Sequence, residues 1–413
     1  MKKQNLLQNL YQCLDTLENE MIDFQKAITA IPALSPVSGG QGEWKKAAFI
    51  KQFLLDKGVR DILQIDAPDA SAEQGVRPNL IAKIRGKSGE KTIWLMAHTD
   101  VVPEGDLKLW QTNPWEAVVK DGKIYGRGTE DNQQGLTSNV FTLLAFLKEG
   151  IQPAYDLAVI LVADEEVGSE YGLEYLLKNN RDLFRADDLI IVPDAGEPDS
   201  SMIEVAEKSI VWFRFKTEGV QCHASTPEQG VNAFKAGAYL VTQLAQLYEI
   251  FDKQNEVFSP PISTFEPTKK DANVPNVNTI PGEDVFHLDC RLLPEYSVKD
   301  LFAAVQNICA TVEKKFSVKI KVSTSQVNEA APPTPNDADV VKKLQAAIRD
   351  VYGVEAKPMG IGGGTVAAIF RRNGLNAAVW STLDDVCHQP NEYCVISNMV
   401  NDAKVFAHVC LQP

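Results

Sequence analysis

Apolar and polar positions alternate in blocks along the first half of the chain. From Asn5 to about Lys57 the apolar residues recur at helical spacing, and then short apolar runs alternate with helical stretches up to about residue 195. This alternation is typical of a mostly parallel sheet with helices on its faces. We therefore predict an α/β fold for this part of the chain.

Several of these apolar runs end in polar residues suited to catalysis. Runs 92–97, 157–163 and 189–192 are followed by His98-Thr99-Asp100, Asp164-Glu165-Glu166 and Pro193-Asp194. Later in the chain, residues 377–380 lead toward Asp384, Asp385 and His388. The carboxyl ends of the strands line the ligand crevice of an open α/β sheet. The sequence therefore predicts one polar site at that edge.

The pattern changes between about residues 210 and 322. Alternating segments there surround a helix expected over about 232–251, as is typical of an α+β domain. The proline-rich stretch 330–335 is the expected return linker, because closely spaced prolines continue neither a helix nor an inner strand. We predict an inserted α+β domain and a surrounding α/β domain, with bounds 210–329 for the first and 1–209 plus 330–413 for the second.

Length, charge and cysteine content narrow the class of protein. The 413 residues exceed what one hydrophobic core usually supports, and the net charge of −14 opposes binding to nucleic acid or anionic membranes. Met1 leads into a polar stretch rather than a signal core, and the longest apolar run, 157–163, is too short to span a bilayer. The 7 cysteines form no C-x-x-C pair, as expected of reduced thiols. We expect a soluble, cytoplasmic protein.

The polar clusters contain residue types that bind metals. Residues two apart on a strand point the same way, so Asp100 can hold the His98 imidazole while its other nitrogen binds metal. The glycines before Asp131 allow a tight backbone path that presents a carboxylate able to bridge two cations. Glu165 and Glu166 follow a buried run, where carboxylates are costly without a partner such as a metal. The alternatives are a plain strand end, a turn and a solvated acidic loop.

Taken in order, the motifs resemble those of one enzyme family. The motifs are His98-Thr99-Asp100-Val101-Val102-Pro103, Gly126-Arg127-Gly128 with Asp131, Asp164-Glu165-Glu166, Pro193-Asp194 and His388-Gln389-Pro390-Asn391-Glu392. They are similar to those of the dizinc aminoacylase and exopeptidase family, which includes acetylornithine deacetylase, succinyl-diaminopimelate desuccinylase, glutamate carboxypeptidase and carnosinase-like dipeptidases. The resemblance covers nearly the whole chain from about residue 90. It implies a zinc-exopeptidase-like catalytic domain with an inserted lid and dimerisation domain.

The resemblance also implies a ligand set for two divalent metal ions, with zinc expected and cobalt or manganese as alternatives. The ligands carried over are His98, His388, Asp131 as the bridge, and Glu166. The fifth ligand is Asp194 or Glu197, and we favour Asp194 because it directly follows an apolar run. An aspartate here resembles the aminoacylase and dipeptidase branch, and a glutamate the deacetylase and desuccinylase branch.

Catalytic roles follow from the same resemblance. Glu165 matches the general base that deprotonates the metal-bridging water, and Asp100 would support the metal site. His223, in His223-Ala224-Ser225-Thr226-Pro227, resembles the lid histidine that stabilises the oxyanion, in many relatives across a dimer interface. The alternative for His223 is a capped histidine of a surface loop.

Substrate contacts are implied at two places. Asn278 and Arg291 match substrate-contacting positions, and Arg291 could grip a free carboxylate bidentately. A local pairing of Arg291 with Asp289 on the same strand face is the alternative. The loop Gly362-Gly363-Gly364-Thr365 lacks the Lys-Ser/Thr of a phosphate loop, so Gly363, Gly364 and Thr365 are expected to contact substrate instead.

The sequence thus predicts a metal-dependent hydrolase that cleaves the amide bond of dipeptides or N-acyl amino acids, as a homodimer through the inserted domain. A dipeptidase is slightly favoured over a deacylase of the acetylornithine deacetylase or succinyl-diaminopimelate desuccinylase type. Val366 and Gln133-Gln134 depart from the family pattern, which weakens the transfer of a particular substrate but not of the metal set. A noncatalytic small-molecule-binding relative is a further alternative, although every ligand position holds a competent residue.

Overall fold

A mixed eight-stranded sheet lies at the centre of the first of two units of the chain. The computed structural model describes residues 2–413, so Met1 lies outside the described residues. The first unit contains the residues up to Val205 together with 334–359 and 365–413, and the second contains 206–333 and 360–364. The sequence pattern gave no indication that 360–364 groups with the second unit.

The helices and strands of the described residues are numbered in chain order. The helices are α1 Lys2–Thr29, α2 Trp44–Asp56, α3 Gln133–Glu149, α4 Leu173–Asn179, α5 Ala233–Leu244, α6 Leu247–Ile250, α7 Val298–Phe316, α8 Asp339–Tyr352, α9 Ala367–Arg372 and α10 Ile396–Cys410. The strands are β1 Asp61–Pro68, β2 Val76–Ile84, β3 Ser88–His98, β4 Val118–Lys120, β5 Lys123–Tyr125, β6 Tyr155–Val162, β7 Leu189–Val192, β8 Met202–Glu207, β9 Ser209–Glu218, β10 Cys222–His223, β11 Thr264–Lys270, β12 Thr279–Ile280, β13 Glu283–Leu292, β14 Lys319–Asn328, β15 Lys357–Ile361, β16 Ala377–Val379 and β17 Tyr393–Val395.

The central sheet has the strand order β1-β2-β6-β3-β7-β16-β8-β15. Its middle strands β6, β3, β7 and β16 pair in parallel, whereas β1, β2 and β6 pair antiparallel on one side and β8 pairs antiparallel with β16 on the other. The predicted α/β fold with a mainly parallel sheet is thereby confirmed.

Parallel pairing brings three strand ends to one edge of the sheet. Strand β3 ends at His98, and its neighbours β6 and β7 end at Val162 and Val192. The last six residues of β6 and all of β7 are buried, so both strands are fixed by core packing. The polar residues that follow the strands are therefore held at a common edge.

The second unit contains a four-stranded antiparallel sheet in the order β11-β13-β9-β14. Residues of β9 alternate, with Val211, Phe213 and Phe215 buried in a core that also includes residues of α5 and α7. The helix expected over 232–251 is divided here into α5 and α6. Within residues 2–413, no helix is both long and apolar enough to cross a membrane.

Candidate metal centre

A buried histidine and two carboxylates form a first candidate metal-ligand group at the edge of the sheet. The His98 Nε2 atom lies 2.9 Å from Asp131 Oδ1 and 3.5 Å from Asp194 Oδ1. His98 is only 2% exposed. One possible ligand atom from each of the three residues, His98, Asp131 and Asp194, lies within 4.8 Å of the other two. We refer to these residues as the His98-side group.

A second group shares Asp131 with the first. The His388 Nε2 atom lies 3.1 Å from Asp131 Oδ2 and 3.1 Å from Glu166 Oε2. Asp131 thus directs one carboxylate oxygen to each histidine. Asp131, Glu166 and His388, the His388-side group, also have donor atoms within 4.8 Å of one another. The structure therefore brings His98, Asp194, Glu166 and His388 together around the carboxylate of Asp131.

The geometry separates the two candidates for the fifth ligand. Asp194 accepts a hydrogen bond from Asn132 Nδ2 at 2.6 Å, and the same amide nitrogen donates to the Pro193 carbonyl at 2.6 Å. This places the Asp194 carboxylate beside His98. Glu197 is exposed and belongs to neither ligand group. The arrangement supports Asp194.

Asp100 contacts both His98 and the acidic loop, which consists of residues 163–172 between β6 and α4. Its Oδ1 atom lies 3.4 Å from His98 Nδ1, and its carbonyl lies 3.0 Å from the same nitrogen. Its two carboxylate oxygens accept the backbone N–H groups of Glu165 and Glu166 at 3.1 and 3.0 Å. One buried carboxylate therefore orients the imidazole so that Nε2 faces the ligand group, and fixes the start of the acidic loop.

The sequence pattern did not predict the buried residues Arg77, Glu43 and Asn79, which hold the acidic loop against the sheet. The Arg77 guanidinium, on β2, contacts Asp164 Oδ1 at 3.1 Å and Glu43 Oε2 at 2.6 Å. Asn79 accepts the Ala163 N–H at 3.1 Å. Arg77 and Glu43 are both fully buried. A long-range ion pair of this kind leaves no local pattern, so only the rarity of buried charge could have indicated it.

The site concentrates negative charge in a buried space. Burial, followed by the nearby Asp194 carboxylate, raises the pKa of Glu165 well above its ordinary value. Burial also raises the pKa of Glu166 despite its hydrogen bond with His388. Hydrogen bonds with Asp131 and Glu166 raise the pKa of His388 to about 10. Several carboxylates buried in one place are costly unless a positive charge balances them, and a bound cation would supply that charge.

The donor atoms fit a divalent transition metal. Imidazole nitrogens and carboxylate oxygens are the ligands of catalytic zinc, and they also suit manganese and cobalt. The second oxygen of Glu166, Oε1, is buried and has no hydrogen-bond partner among the described residues. Such an atom is costly unless a ligand satisfies it. The residues present therefore fit a metal.

His223 and Asn278 lie together in the second unit. Strand β10 pairs with β12 so that His223 faces Thr279, and the Ala224 N–H donates to the Asn278 carbonyl at 2.9 Å. The Ser225 backbone N–H donates to His223 Nδ1 at 3.1 Å. Because Nδ1 accepts this bond, the proton of the neutral ring is on Nε2, where it can be donated to a ligand. The His223 side chain is exposed.

Arg291 forms the local ion pair that was the alternative to carboxylate binding. Its Nε and Nη2 atoms donate to the two oxygens of Asp289 at 2.7 and 3.0 Å. Its Nη1 atom donates to the Gly362 carbonyl at 2.7 Å. Arg291 is thus tied to the glycine loop, where Gly363 and Gly364 follow in the second unit and Thr365 resumes the first.

Comparison of the chain with known proteins finds a matching family, similar relatives and a solved structure with a similar fold. The model of the peptidase family M20/M25/M40 matches residues 94–412. An uncharacterized metallohydrolase from Methanocaldococcus jannaschii is 40% identical over 410 residues, covering 96% of this chain and 100% of the relative. A succinyl-diaminopimelate desuccinylase from Rickettsia prowazekii is 26% identical over 379 residues, covering 91% and 95%. The structure of human carnosine dipeptidase 1 has the same fold, with a TM-score of 0.74, 20% identity and 98% coverage of both chains.

Proposed function

Because the chain belongs to the peptidase family M20/M25/M40 and is a metal-binding hydrolase, we propose that it cleaves the amide bond of dipeptides or N-acyl amino acids with two divalent metal ions, zinc being expected. The observation that carries this proposal is the Asp131 carboxylate, which is shared by two histidine and carboxylate groups. A shared carboxylate can hold two ions close together, as two-metal hydrolysis requires.

The two groups would each hold one ion. His98 and Asp194 would bind the first, His388 and Glu166 the second, and Asp131 both. When bound, such ions lower the pKa of a water and polarise the substrate carbonyl. Asp100 and Asn132 then serve to keep the His98 imidazole and the Asp194 carboxylate in place.

Glu165 is the proposed general base. Its backbone N–H is fixed by Asp100, and its buried carboxylate lies close to those of Asp194, Asp131 and Glu166, where the two ions and their water would be held. It would take a proton from the attacking water and pass it to the leaving nitrogen of the amide. Either a peptide or an N-acyl amino acid would give the same proton transfers.

His223 is the proposed donor to the oxyanion. Its Nδ1 atom accepts from Ser225, which leaves the Nε2–H group as the free donor. A donor aimed at developing negative charge contributes specifically in the transition state. Asn278 is proposed to contact the substrate beside it, since the two residues lie on paired segments.

Arg291 and the glycine loop are the proposed site for the substrate carboxylate. The Asp289 pair and the Gly362 carbonyl hold the guanidinium in one orientation. The remaining N–H groups of the fork could then bind an acceptor without first losing side-chain freedom. The amides of Gly363 and Gly364 and the hydroxyl of Thr365 are the proposed further donors.

Dipeptidase and deacylase activities both remain candidates. The position of Asp194 in the His98-side group supports the dipeptidase, as does the carnosine dipeptidase fold. The relative named as a desuccinylase supports the deacylase. We favour the dipeptidase, because the metal-ligand candidate at the position that differs between the branches is an aspartate, Asp194.

A second copy of the chain is proposed to pair along β14. The other edge strand, β11, contains Pro267, and a proline discourages pairing with another chain. Strand β14 has ten residues without proline and lies at the open edge of the sheet. Its unpaired backbone groups would support a homodimer through the second unit, and we propose that this dimer is cytoplasmic.

Removing and restoring the metal tests the proposed function. Metal-free protein should hydrolyse no member of a panel of dipeptides, N-acetyl amino acids and N-succinyl amino acids, and added zinc, cobalt or manganese should restore cleavage of one class. Hydrolysis by the metal-free protein would contradict the metal mechanism. Two bound ions per chain without cleavage of any member would favour a noncatalytic binding protein.

Zinc binding should depend on Asp194 and not on Glu197. Asp194→Ala removes a donor of the His98-side group, and we expect the zinc affinity of one ion to fall by at least about 100-fold, since even supporting residues contribute about 10- to 100-fold. Glu197→Ala is the matched control because its side chain is exposed. Isothermal titration calorimetry measures both. A larger loss in the Glu197 variant would reverse the assignment.

A further inference from the structure

Two buried carboxylates outside the ligand groups connect the segments that carry Asp131 and His388. We propose that Glu130 and Glu392 form a carboxylate clasp that positions His388 and thereby sets the metal affinity of the His388-side group, with little effect on the His98-side group. This inference rests on the proposed function, because it concerns how a two-metal site is held. Both are positioning residues, since neither belongs to a ligand group.

The Glu130 side chain reaches from the Asp131 segment to the His388 segment. Its Oε1 atom accepts the Asp384 N–H at 2.8 Å, and its Oε2 atom accepts the Val386 N–H at 2.6 Å. Glu130 is 3% exposed. Both oxygens of one buried carboxylate are thus used to fix the backbone just before His388.

The Glu392 side chain reaches in the opposite direction. Its Oε1 atom accepts the Glu130 and Asp131 N–H groups at 3.0 and 3.1 Å. Its Oε2 atom accepts the Gly128 N–H at 3.0 Å and Arg127 Nη1 at 2.6 Å. Each segment therefore donates its backbone N–H groups to a carboxylate carried by the other segment.

Arg127 extends this connection to His388 itself. While its Nη1 atom donates to Glu392, its Nη2 atom donates to the His388 carbonyl at 3.3 Å. Arg127 is only 2% exposed. The guanidinium thus balances one clasp carboxylate and holds the backbone of a metal-ligand candidate.

The two histidines depend on such support to different degrees. His98 ends strand β3 and is buried, so the sheet and Asp100 fix it. His388 lies between β16 and β17 in a segment without helix or strand, with φ of 61° and a side chain that is 53% exposed. Its position depends on hydrogen bonds to its segment, which the clasp supplies. Loss of the clasp should therefore lower the metal affinity of the His388-side group and leave that of the His98-side group nearly unchanged.

The substitution Glu130→Gln tests the clasp, because the shape of glutamate is nearly kept by glutamine. Its single side-chain oxygen can accept one backbone N–H, but its amide group would face the other donor, so one bond is lost and a repulsive contact replaces it. The variant Asp385→Asn is the matched control. Asp385 is an exposed acid of the same segment, and the substitution removes the same charge without removing the two backbone bonds.

Zinc calorimetry in two backgrounds assigns the effect to one group. In Asp194→Ala, where the His388-side group stays complete, adding Glu130→Gln should weaken zinc binding by about 10- to 100-fold. In His388→Ala, where the His98-side group stays complete, adding Glu130→Gln should leave the zinc affinity unchanged. Asp385→Asn should change neither affinity, and circular dichroism should show the same fold for every variant.

The possible outcomes distinguish a failure of the clasp proposal from a failure of the proposed function. Unchanged zinc affinity of Glu130→Gln in the Asp194→Ala background overturns the clasp, and so does an equal loss in both backgrounds, which would indicate general destabilisation. A wild-type chain that binds fewer than two zinc ions overturns the proposed two-metal site instead.

Discussion

Replacing Glu165 by glutamine should lower kcat for amide hydrolysis by about 10²- to 10⁴-fold, the usual contribution of a general base. Glutamine keeps the size of the side chain but accepts no proton at neutral pH. Glu165 belongs to neither ligand group, so zinc content should stay at the wild-type level and KM should change little. Steady-state kinetics on the substrate class that the panel of dipeptides and N-acyl amino acids selects, with metal analysis of the same sample, measures both quantities.

The control for Glu165 comes from the same acidic loop. Glu170 is exposed, and Glu170→Gln removes one carboxylate from that loop without touching the ligand groups. It should retain wild-type kcat. If Glu165→Gln kept its turnover with two ions bound, the proton transfer would have to occur at another residue. If it lost its metal, Glu165 would be a structural part of the metal centre rather than its base.

The sequence predicted the parts of the site that follow buried strands. His98 ends β3, Glu165 and Glu166 follow β6, and Asp194 follows β7, so each candidate is placed by an apolar run that core packing forces into the sheet. The parallel order of these strands then brings the candidates together. Both steps rest on hydrophobic patterning, which is a local signal that one sequence contains.

The supporting residues could not be predicted in this way. Arg77 contacts Asp164, and Glu130 contacts the backbone of Val386, across separations that no local pattern records. Their partners are defined only once the chain has folded. Strand alternation puts Asp289 and Arg291 on one face, so it predicts that they can pair. Alternation alone does not decide whether Arg291 pairs with Asp289 or binds the carboxylate of a ligand.

The helix expected over 232–251 shows the limit of periodicity at element ends. Its apolar spacing continues through Phe251, but the structure divides it into α5 and α6. Leu244, Leu247 and Phe251 all lie in the core of the second unit, so the apolar pattern persists across the break. Burial of these side chains maintains the pattern, whereas the backbone hydrogen bonds set the ends of each helix.

The acidic loop and the His388 segment are held by different means. Asp100 and Arg77 fix the acidic loop through its backbone N–H groups and through Asp164, directly against the sheet. The His388 segment is instead held by Glu130 and by the segment of Asp131. Asp131 is therefore the one ligand candidate on which both groups depend, because it directs one carboxylate oxygen to each histidine.

Asp131→Asn should weaken the binding of both ions and abolish hydrolysis. The carboxylate directs one oxygen to His98 and one to His388, and hydrogen bonds with these histidines hold its pKa below the ordinary value despite burial, so it is ionised and ready to bind metal. Asparagine has the same shape but no charge and only one acceptor oxygen. We expect each zinc affinity to fall by at least about 100-fold, given that even supporting residues contribute about 10- to 100-fold, whereas Asp194→Ala should weaken the binding of one ion only.

Calorimetry with zinc distinguishes these results, and Asp121→Asn, in an exposed turn, is the control expected to bind two ions. Retention of one tight ion in Asp131→Asn would mean that the two groups do not share this carboxylate.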